Sequence, residues 1–171
     1  TVWITHVDFV REDATMIDQF NKAILKALQQ DGSLTQRELS EKVNLSPNAC
    51  WNRIQTLKKE GVITGQTVQL DRTRLGLDLV VFAMIRTRHH SAEWLETFRR
   101  HVQTIPEVID FFRIGGDYDY LLKVVTRDMA SYDAVYRRLI AGVELDSVTS
   151  YFAMEAIEEQ RPLPIQETRE R

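Results

Sequence analysis

The feature that most constrains this chain is a pair of helix signals separated by a very short turn. Thr35 is followed three residues later by Glu38, which is the spacing of a capping box. Ser46–Pro47 then places an N-cap before a proline at the first helical position. Only Asn44–Leu45 separates the two predicted helices, and Gly61 ends the second one. The pattern predicts two helices joined by a tight turn.

Apolar spacing predicts a further helix in front of this pair and a common core for all three. The helical pattern begins at Ile17 and stops at Asp31–Gly32. In the last of the three helices, Cys50, Ile54 and Leu57 form one apolar stripe, so Cys50 is predicted to be a small core residue rather than a redox sensor. This is the geometry that lays a recognition helix in the DNA major groove. The alternative is a small three-helix interaction module with a solvated polar face.

The outward positions of the last helix carry side chains suited to DNA. Asn and Gln can contact adenine through two hydrogen bonds, while Arg53, Lys58 and Lys59 suit phosphates. We therefore predict DNA contacts from the outward face, the preceding helix and the turn. The predicted DNA-binding residues are Gln36, Arg37, Ser46, Asn48, Ala49, Trp51, Asn52, Arg53, Gln55, Thr56, Lys58 and Lys59.

The net charge of −3 and the pI near 5.8 argue mildly against nucleic-acid binding when the chain is taken whole. Residues 16–75, however, hold nine basic and six acidic side chains, whereas residues 76–171 hold twelve and sixteen. A dimer would supply two copies of the basic part, so few phosphates need to be neutralised by each chain. The asymmetry predicts two domains with different partners.

Cysteine content and motif content exclude several classes of protein. One cysteine permits no intramolecular disulfide and favours a cytoplasmic location, and no stretch is long enough to span a membrane. There is no phosphate loop, His-Glu-x-x-His motif or nucleophile elbow, so we predict no enzyme, no catalytic residue and no cofactor. His89, His90, Glu93 and His101 could suggest a metal, but adjacent histidines on an extended segment point to opposite sides, and no metal site is predicted.

The second half alternates between strand and helix patterns. Residues 64–75, with Val68 and Leu70 at alternate positions, are predicted to form an extended ribbon that acts as wing and linker. The order that follows is β-α-β-β-α-β, the ferredoxin-like pattern. The predicted strands are 79–88, 108–114, 118–126 and 148–157, and the predicted helices are 92–105 and 130–141.

Three of these strands have nearly continuous apolar runs, including Val80 to Ile85 and Tyr151 to Met154. Two helices can cover only one face of a four-stranded sheet, so the other face must bury its apolar side chains elsewhere. A homodimer formed through that face is the economical prediction.

The turn between the second and third predicted strands has a chemistry of its own. The glycines of Gly115–Gly116 leave backbone N–H groups open to a carboxylate, while Asp117 and Asp119 could receive an ammonium group. Together these are the two ends of a free amino acid. The alternative is an ordinary hairpin turn, in which Gly and Asp are favoured anyway.

Two motifs in order resemble the Lrp/AsnC family of transcriptional regulators. The resemblance rests on Asp18-x-x-Asn21-x-x-Ile24-Leu25, on Leu39-Ser40-x-x-Val43-x-Leu45-Ser46-Pro47-x-x-Cys50-x-x-Arg53-x-x-x-Leu57-x-x-x-Gly61-Val62-Ile63, and on Gly116-Asp117-Tyr118-Asp119-Tyr120-Leu121-Leu122. It covers roughly residues 16–165. It implies an α+β protein with an N-terminal winged helix-turn-helix and a C-terminal ferredoxin-like amino-acid-binding domain.

The resemblance also implies an effector site at this turn, between neighbouring dimers. The predicted effector-binding residues are Gly115, Gly116, Asp117, Tyr118, Asp119, Tyr120 and Thr149. Further segments, among them His89–Trp94 and Val148–Glu155, resemble the cysteine-responsive, DecR-like branch of the family. Gly115–Asp117 departs from that branch, so a different thiol or sulfonated amino acid also fits. The implied function is control of a neighbouring amino-acid catabolism or detoxification gene.

The predicted organisation has five parts: an N-terminal extension over 1–15, a DNA-binding domain over 16–65, a linker over 66–78, an effector-binding and oligomerisation domain over 79–160 and a tail over 161–171. For the extension, the alternative is a short strand docked on a partner. The predicted partners are a pseudo-palindromic double-stranded DNA operator, an amino-acid effector, and further copies of the chain in a dimer that assembles to a tetramer or octamer. Alternatives are an effector-independent oligomeric protein that binds DNA or acts as a co-regulator, and a regulator of another amino acid, such as leucine.

Overall fold

The computed structural model describes residues 17–166, which form two compact units. The first unit contains the described residues up to 69 together with 160–166, and the second contains residues 70–159. The predicted extension over residues 1–15 lies outside the described residues. Between residues 17 and 166, none of the helices is long and apolar enough to cross a membrane.

The first unit is built from three helices that begin where their local sequence signals predict. The side chains of Asp18, Thr35 and Ser46 each accept a hydrogen bond from the backbone N–H three residues later. Glu38 completes the capping box by accepting from the Thr35 N–H at 2.8 Å. The helices are α1 (Gln19–Gln30), α2 (Gln36–Lys42) and α3 (Pro47–Lys59).

A tight turn and a small core hold α2 and α3 together. Asn44 has a φ of 54°, a left-handed conformation that asparagine tolerates better than most residues. Leu39, Cys50 and Leu57 are almost fully buried against Ile24 of α1. Burial raises the pKa of the Cys50 thiol, which disfavours the reactive thiolate. The prediction that Cys50 is a core residue is confirmed.

The segment after α3 differs from the predicted ribbon. Gly61 follows the helix with a φ of 72°, and residues 64–70 have no regular secondary structure. A strand needs a neighbour that accepts and donates its backbone hydrogen bonds, and this segment pairs with no other strand within the described part of the chain. The side chains of Val68 and Leu70 are exposed. A short 3₁₀ helix, Thr73–Leu75, leads into the second unit.

The second unit has the predicted β-α-β-β-α-β order. Its four strands form one antiparallel sheet in the order β2-β3-β1-β4. The ferredoxin-like prediction is therefore confirmed. In chain order the elements are β1 (Leu79–Arg86), α4 (Ala92–Gln103), β2 (Val108–Arg113), β3 (Tyr120–Thr126), α5 (Met129–Ala141) and β4 (Ser147–Phe152).

Both helices pack on one face of this sheet. Val81, Ala83 and Ile85 alternate along β1 towards the helices and are fully buried. Phe98 of α4 packs edge-on against Tyr120, with ring centroids 5.4 Å apart. On the opposite face, side chains such as Phe82, Met84, Leu121 and Tyr151 are only half-buried or are exposed. The sheet thus has one open, largely apolar face.

The last strand ends five residues before the predicted end. Its pairing with β1 reaches only to Val81 and Phe152, and Ala153 adds one more backbone bond to Val80. Because β1 itself starts at Leu79, only two of its residues lie beyond Val81, so the ladder is too short to pair β4 as far as the predicted end at 157. Met154 and Ile157 are almost completely exposed instead of continuing the strand.

Candidate functional sites

The outer face of α3 presents the predicted base-reading residues together. Asn48, Asn52 and Gln55 are exposed, and Trp51 has half of its surface exposed beside them. Their spacing of three, four and seven residues puts all of them on one side of the helix. Lys59, four residues beyond Gln55, extends the same side, and its positive charge suits a phosphate.

Other predicted DNA-binding residues stabilise the helices or lie beside the group formed by Asn48, Asn52 and Gln55. Gln36 Nε2 donates to the Pro47 carbonyl at 2.9 Å and so ties α2 to the start of α3. The Ser46 hydroxyl caps α3, and the Thr56 hydroxyl donates to the Asn52 carbonyl. Arg37 pairs with Glu41 on the surface of α2. Ala49 is half-buried and Lys58 is exposed.

Arg53 is placed differently from the other predicted phosphate-binding residues. Its Nη1 donates to Asp18 Oδ2 at 2.6 Å and to Asn21 Oδ1 at 3.0 Å, and its guanidinium lies over the Phe20 ring. The side chain is 30% exposed and is engaged with α1. A hydrogen bond from the Asn21 N–H, together with Arg53, lowers the pKa of the Asp18 carboxyl despite partial burial. Arg53 therefore joins α3 to α1.

The turn between β2 and β3 is closed at its base by one backbone hydrogen bond and is joined to β1 by a second. The Ile114 N–H donates to the Asp119 carbonyl at 2.9 Å, and the Asp119 N–H donates to the Ile85 carbonyl at 2.8 Å. Between Ile114 and Asp119 lie Gly115, Gly116, Asp117 and Tyr118. We call residues 115–119 the effector turn, after the site predicted there from the sequence. Gly116 has a φ of 123°, a conformation that L side chains rarely adopt, so glycine is required there.

The effector turn leaves backbone donors and a carboxylate available. Among the described residues, no acceptor receives the N–H of Gly115, Gly116 or Asp117. A side chain added at either glycine would meet nothing within 4 Å. The Asp117 side chain is exposed beside these donors. The arrangement can accept an anionic group at the backbone and a cationic group at the carboxylate.

The remaining predicted effector residues divide between the turn surface and the core. The Asp119 Oδ2 accepts from the Thr87 N–H at 2.8 Å, so one oxygen of that carboxylate is occupied. The Tyr118 hydroxyl donates to Thr149 Oγ1 at 3.4 Å, and hydrogen bonding to Thr149 lowers the pKa of the Tyr118 phenol. Tyr120 is buried within the aromatic cluster of the core, where burial raises its pKa. Its side chain thus belongs to the core rather than to the surface of the turn.

Two histidines, His89 and His90, follow the end of β1. His90 Nδ1 is 4.0 Å from Asp119 Oδ1, and His89 Nε2 is 3.4 Å from Glu144 Oε2. The two rings thus face different carboxylates. Over residues 17–166, no group of three or more His, Cys, Asp and Glu side chains could hold a metal ion.

One residue of this region was not predicted from the sequence. Arg86, at the end of β1, donates from Nε and Nη2 to the Asp117 carbonyl at 2.9 and 2.7 Å. No sequence signal identifies this contact, because its acceptor is a backbone atom 31 residues away.

Two protein-family models cover most of the chain. Residues 17–64 match the winged helix-turn-helix DNA-binding model, and residues 80–163 match the Lrp/AsnC ligand-binding domain. The first match contains α1 to α3, and the second contains the sheet and the effector turn. The two functions predicted from the sequence thus correspond to two separate matches.

Named relatives are similar over almost the whole chain. The glutamate uptake regulatory protein of Zymomonas mobilis is 43% identical over 152 residues, covering 89% of this chain and 93% of the relative. The transcriptional activator DecR of Escherichia coli is also 43% identical over 152 residues, covering 88% of this chain and all of the relative.

A solved transcriptional regulator from Neisseria meningitidis, in complex with L-methionine, has a TM-score of 0.80 at 31% identity and covers 86% of this chain and 96% of its own. The family and these relatives are regulators of transcription rather than enzymes. The chain therefore belongs to the Lrp/AsnC family of DNA-binding transcriptional regulators.

Proposed function

We propose that this regulator binds cysteine or a closely related sulfur amino acid at the effector turn, and that binding changes its hold on DNA. The observation that carries the proposal is the chemistry of the turn, where unbonded backbone N–H groups lie beside the exposed Asp117 carboxylate. These groups complement the carboxylate and the ammonium of a free amino acid. The relative solved with L-methionine, itself a sulfur amino acid, supports this choice.

For DNA, we infer that α3 reads base edges in the major groove with Asn48, Asn52 and Gln55. The exposed lysines Lys58 and Lys59 bind phosphates beside them. Two copies of the helix in a dimer read the half-sites of a pseudo-palindromic operator, about 34 Å or a multiple of that apart. The match of residues 17–64 to a DNA-binding family supports this assignment.

For assembly, we infer a homodimer formed through the open face of the sheet, with dimers joined into a tetramer or octamer. The half-buried Phe82, Met84 and Leu121 on that face support the inference, since exposed apolar surface of this kind marks an interaction site. The effector turn then lies at the junction of neighbouring dimers, as the family resemblance implies. A DNA-binding regulator of this kind works in the cytoplasm.

The proposed target is a neighbouring gene for amino-acid catabolism or detoxification. The 43% identity to a relative named as an activator of transcription supports a role in gene control. The equally similar regulator of glutamate uptake makes glutamate a second candidate effector. Leucine and a complete lack of response remain the other outcomes to be tested.

A thermal-shift panel tests the effector assignment. The panel contains the twenty amino acids with thiol and sulfonate analogues, and it is run on the wild type, Asp117→Asn and the surface control Asp78→Asn. An effector at 100 times its Kd should stabilise the wild type and the control by about 2.7 kcal/mol, and Asp117→Asn should lose most of this. A response to glutamate or leucine alone would overturn the sulfur assignment. A response that survives Asp117→Asn unchanged would move the site away from the turn.

A further inference from the structure

The contact between Arg86 and the effector turn is the least expected feature of the second unit. Arg86 Nε and Nη2 converge on one atom, the Asp117 carbonyl oxygen, at 2.9 and 2.7 Å. The same guanidinium lies over the Tyr118 ring, 5.4 Å from its centroid. One side chain from the end of β1 therefore holds two consecutive residues of the turn.

The middle of the turn has little else to order it. The backbone bond that closes the turn joins Ile114 and Asp119 at its base, and the Asp119 N–H bonds to Ile85 of β1. Gly115 and Gly116 have no side chains, and the space around them is open. Apart from Arg86, within the described part of the chain the residues between Ile114 and Asp119 are held through the Tyr118 hydroxyl, which bonds to Thr149 and Tyr151 of β4. Glycine pays a large entropic cost on ordering, so an unanchored turn of this composition would be mobile.

We propose that Arg86 is the positioning residue of the effector turn. By binding the Asp117 carbonyl through two donors, it orders the turn before an amino acid arrives and so lowers the entropic cost of binding. It also draws the Asp117 carbonyl towards itself, while the N–H groups of Gly115, Gly116 and Asp117 stay available to an anion. The role in effector binding rests on the proposed function, whereas the ordering of the turn does not.

Lysine cannot replace arginine in this role. Its ammonium keeps the positive charge, but it has no planar pair of N–H groups that could converge on one carbonyl as Nε and Nη2 do. Arg86→Lys therefore separates the two-donor contact from the charge, and Arg86→Gln removes both. The matched control is Arg88→Lys, two residues along the chain, because Arg88 is largely exposed and pairs with Asp146 rather than with the turn.

The first measurement needs no effector. Hydrogen exchange of the full chain is followed by mass spectrometry for peptides covering residues 114–119. In these peptides the Ile114 amide closes the turn, and the Asp119 amide bonds to Ile85 of β1. We expect exchange several-fold faster in Arg86→Lys and Arg86→Gln, and exchange equal to the wild type in Arg88→Lys. Unchanged exchange in both Arg86 variants would overturn the proposal.

The second measurement is the Kd for L-cysteine and L-methionine by calorimetry, with the thermal midpoint of each apo protein as the check on folding. We expect a Kd about tenfold higher in both Arg86 variants with an unchanged midpoint, because only the ordering of the turn is lost. A wild-type Kd in Arg86→Lys would show that the positive charge alone is sufficient for effector binding, and this would overturn the positioning role of the two-donor contact. If neither amino acid binds the wild type, the proposed function fails, and the exchange measurement alone decides whether Arg86 orders the turn.

Discussion

The two units hold their candidate functional residues in opposite ways. In the first unit, Asn48, Asn52 and Gln55 lie on a helix whose other side is fixed by its own buried stripe. In the second, the candidate effector residues lie on an open turn, whose middle is held by Arg86 of β1 and by the bond from Tyr118 to Thr149 of β4. The predicted DNA-reading surface is thus ordered by local helical structure, whereas the predicted effector turn is ordered by a few tertiary contacts. That difference suits a sensor, because an element held by few contacts can respond to a ligand.

The largest expected effect tests whether the two units are independently packed. Leu57 and Leu139 are equally buried, one in each core. Replacing either leucine by alanine should cost about 2–5 kcal/mol through the cavity left behind. We expect Leu57→Ala to weaken operator binding while effector binding is retained. Leu139→Ala should weaken effector binding, and operator binding with it, because the proposed dimer forms through the sheet of the same unit. Calorimetry, gel shift and effector titration check this, and loss of effector binding in Leu57→Ala would contradict two separate cores.

The next effect tests the reading face of α3. Asn52→Ala should weaken operator binding by about 1–3 kcal/mol, since it removes a side chain able to make two hydrogen bonds to adenine. Gln30→Ala, which removes another exposed amide from the end of α1, is the matched control and should bind normally. The measurement is a gel-shift titration on the upstream region of the gene and on scrambled DNA. Equal affinities for Asn52→Ala and the wild type would place base reading elsewhere.

The local sequence predicts where the helices of the first unit begin, but it does not predict which extended segments become strands. The helix starts are predictable because each cap bonds within three residues, as in the box formed by Thr35 and Glu38. The end of β4 is not predictable from its own apolar pattern, because it depends on where β1 begins. Residues 64–70 likewise carry an alternating pattern without a strand to pair with among the described residues.

In the candidate sites, too, local features could be predicted from the sequence, whereas contacts between distant residues could not. The outer face of α3 follows from the helical period, and the same period could have shown that Arg53, between Cys50 and Leu57, lies on the flank of the buried stripe. The turn itself is visible as Gly115–Gly116 followed by aspartates. The role of Arg86 could not be predicted, because a backbone carbonyl far along the chain has no sequence signature.

A smaller effect concerns an ion cluster in the second unit. Glu159 accepts from Arg72 and Lys123, each at 2.9 Å, and these hydrogen bonds lower its pKa below the ordinary value. The lowered pKa means that the stabilisation is present above the unfolded value of about 4.3 and is lost as the pH falls through the folded value. Glu159→Gln should therefore cost about 1–2 kcal/mol at pH 7, given the partial burial of the cluster, and much less at pH 3.

Urea denaturation at both pH values measures this difference. Glu155→Gln, an exposed neighbour, is the matched control and should be neutral at both. A loss of stability for Glu159→Gln that is equal at pH 7 and pH 3 would show that the ionised carboxylate is not the source.

The smallest effect separates Arg53 from the lysines of α3. Lys58→Ala should lower the slope of log affinity against log salt by about one, as expected for one lost phosphate contact. Arg53→Lys should leave the slope unchanged, because its guanidinium is engaged by Asp18 and Asn21. Gel shifts across a salt series give both slopes. If Arg53→Lys reduced the slope of log affinity against log salt by the same amount as Lys58→Ala, Arg53 would contact a phosphate after all.

The central claim is that an amino acid bound at the effector turn changes the affinity for DNA, and one titration tests it most directly. The operator Kd is measured for the wild type with no ligand, with saturating L-cysteine and with each of the other amino acids. We predict at least a fivefold change with cysteine or a related sulfur amino acid, within the usual range of coupling between two sites. An operator Kd that is the same with every amino acid as without any would contradict the account.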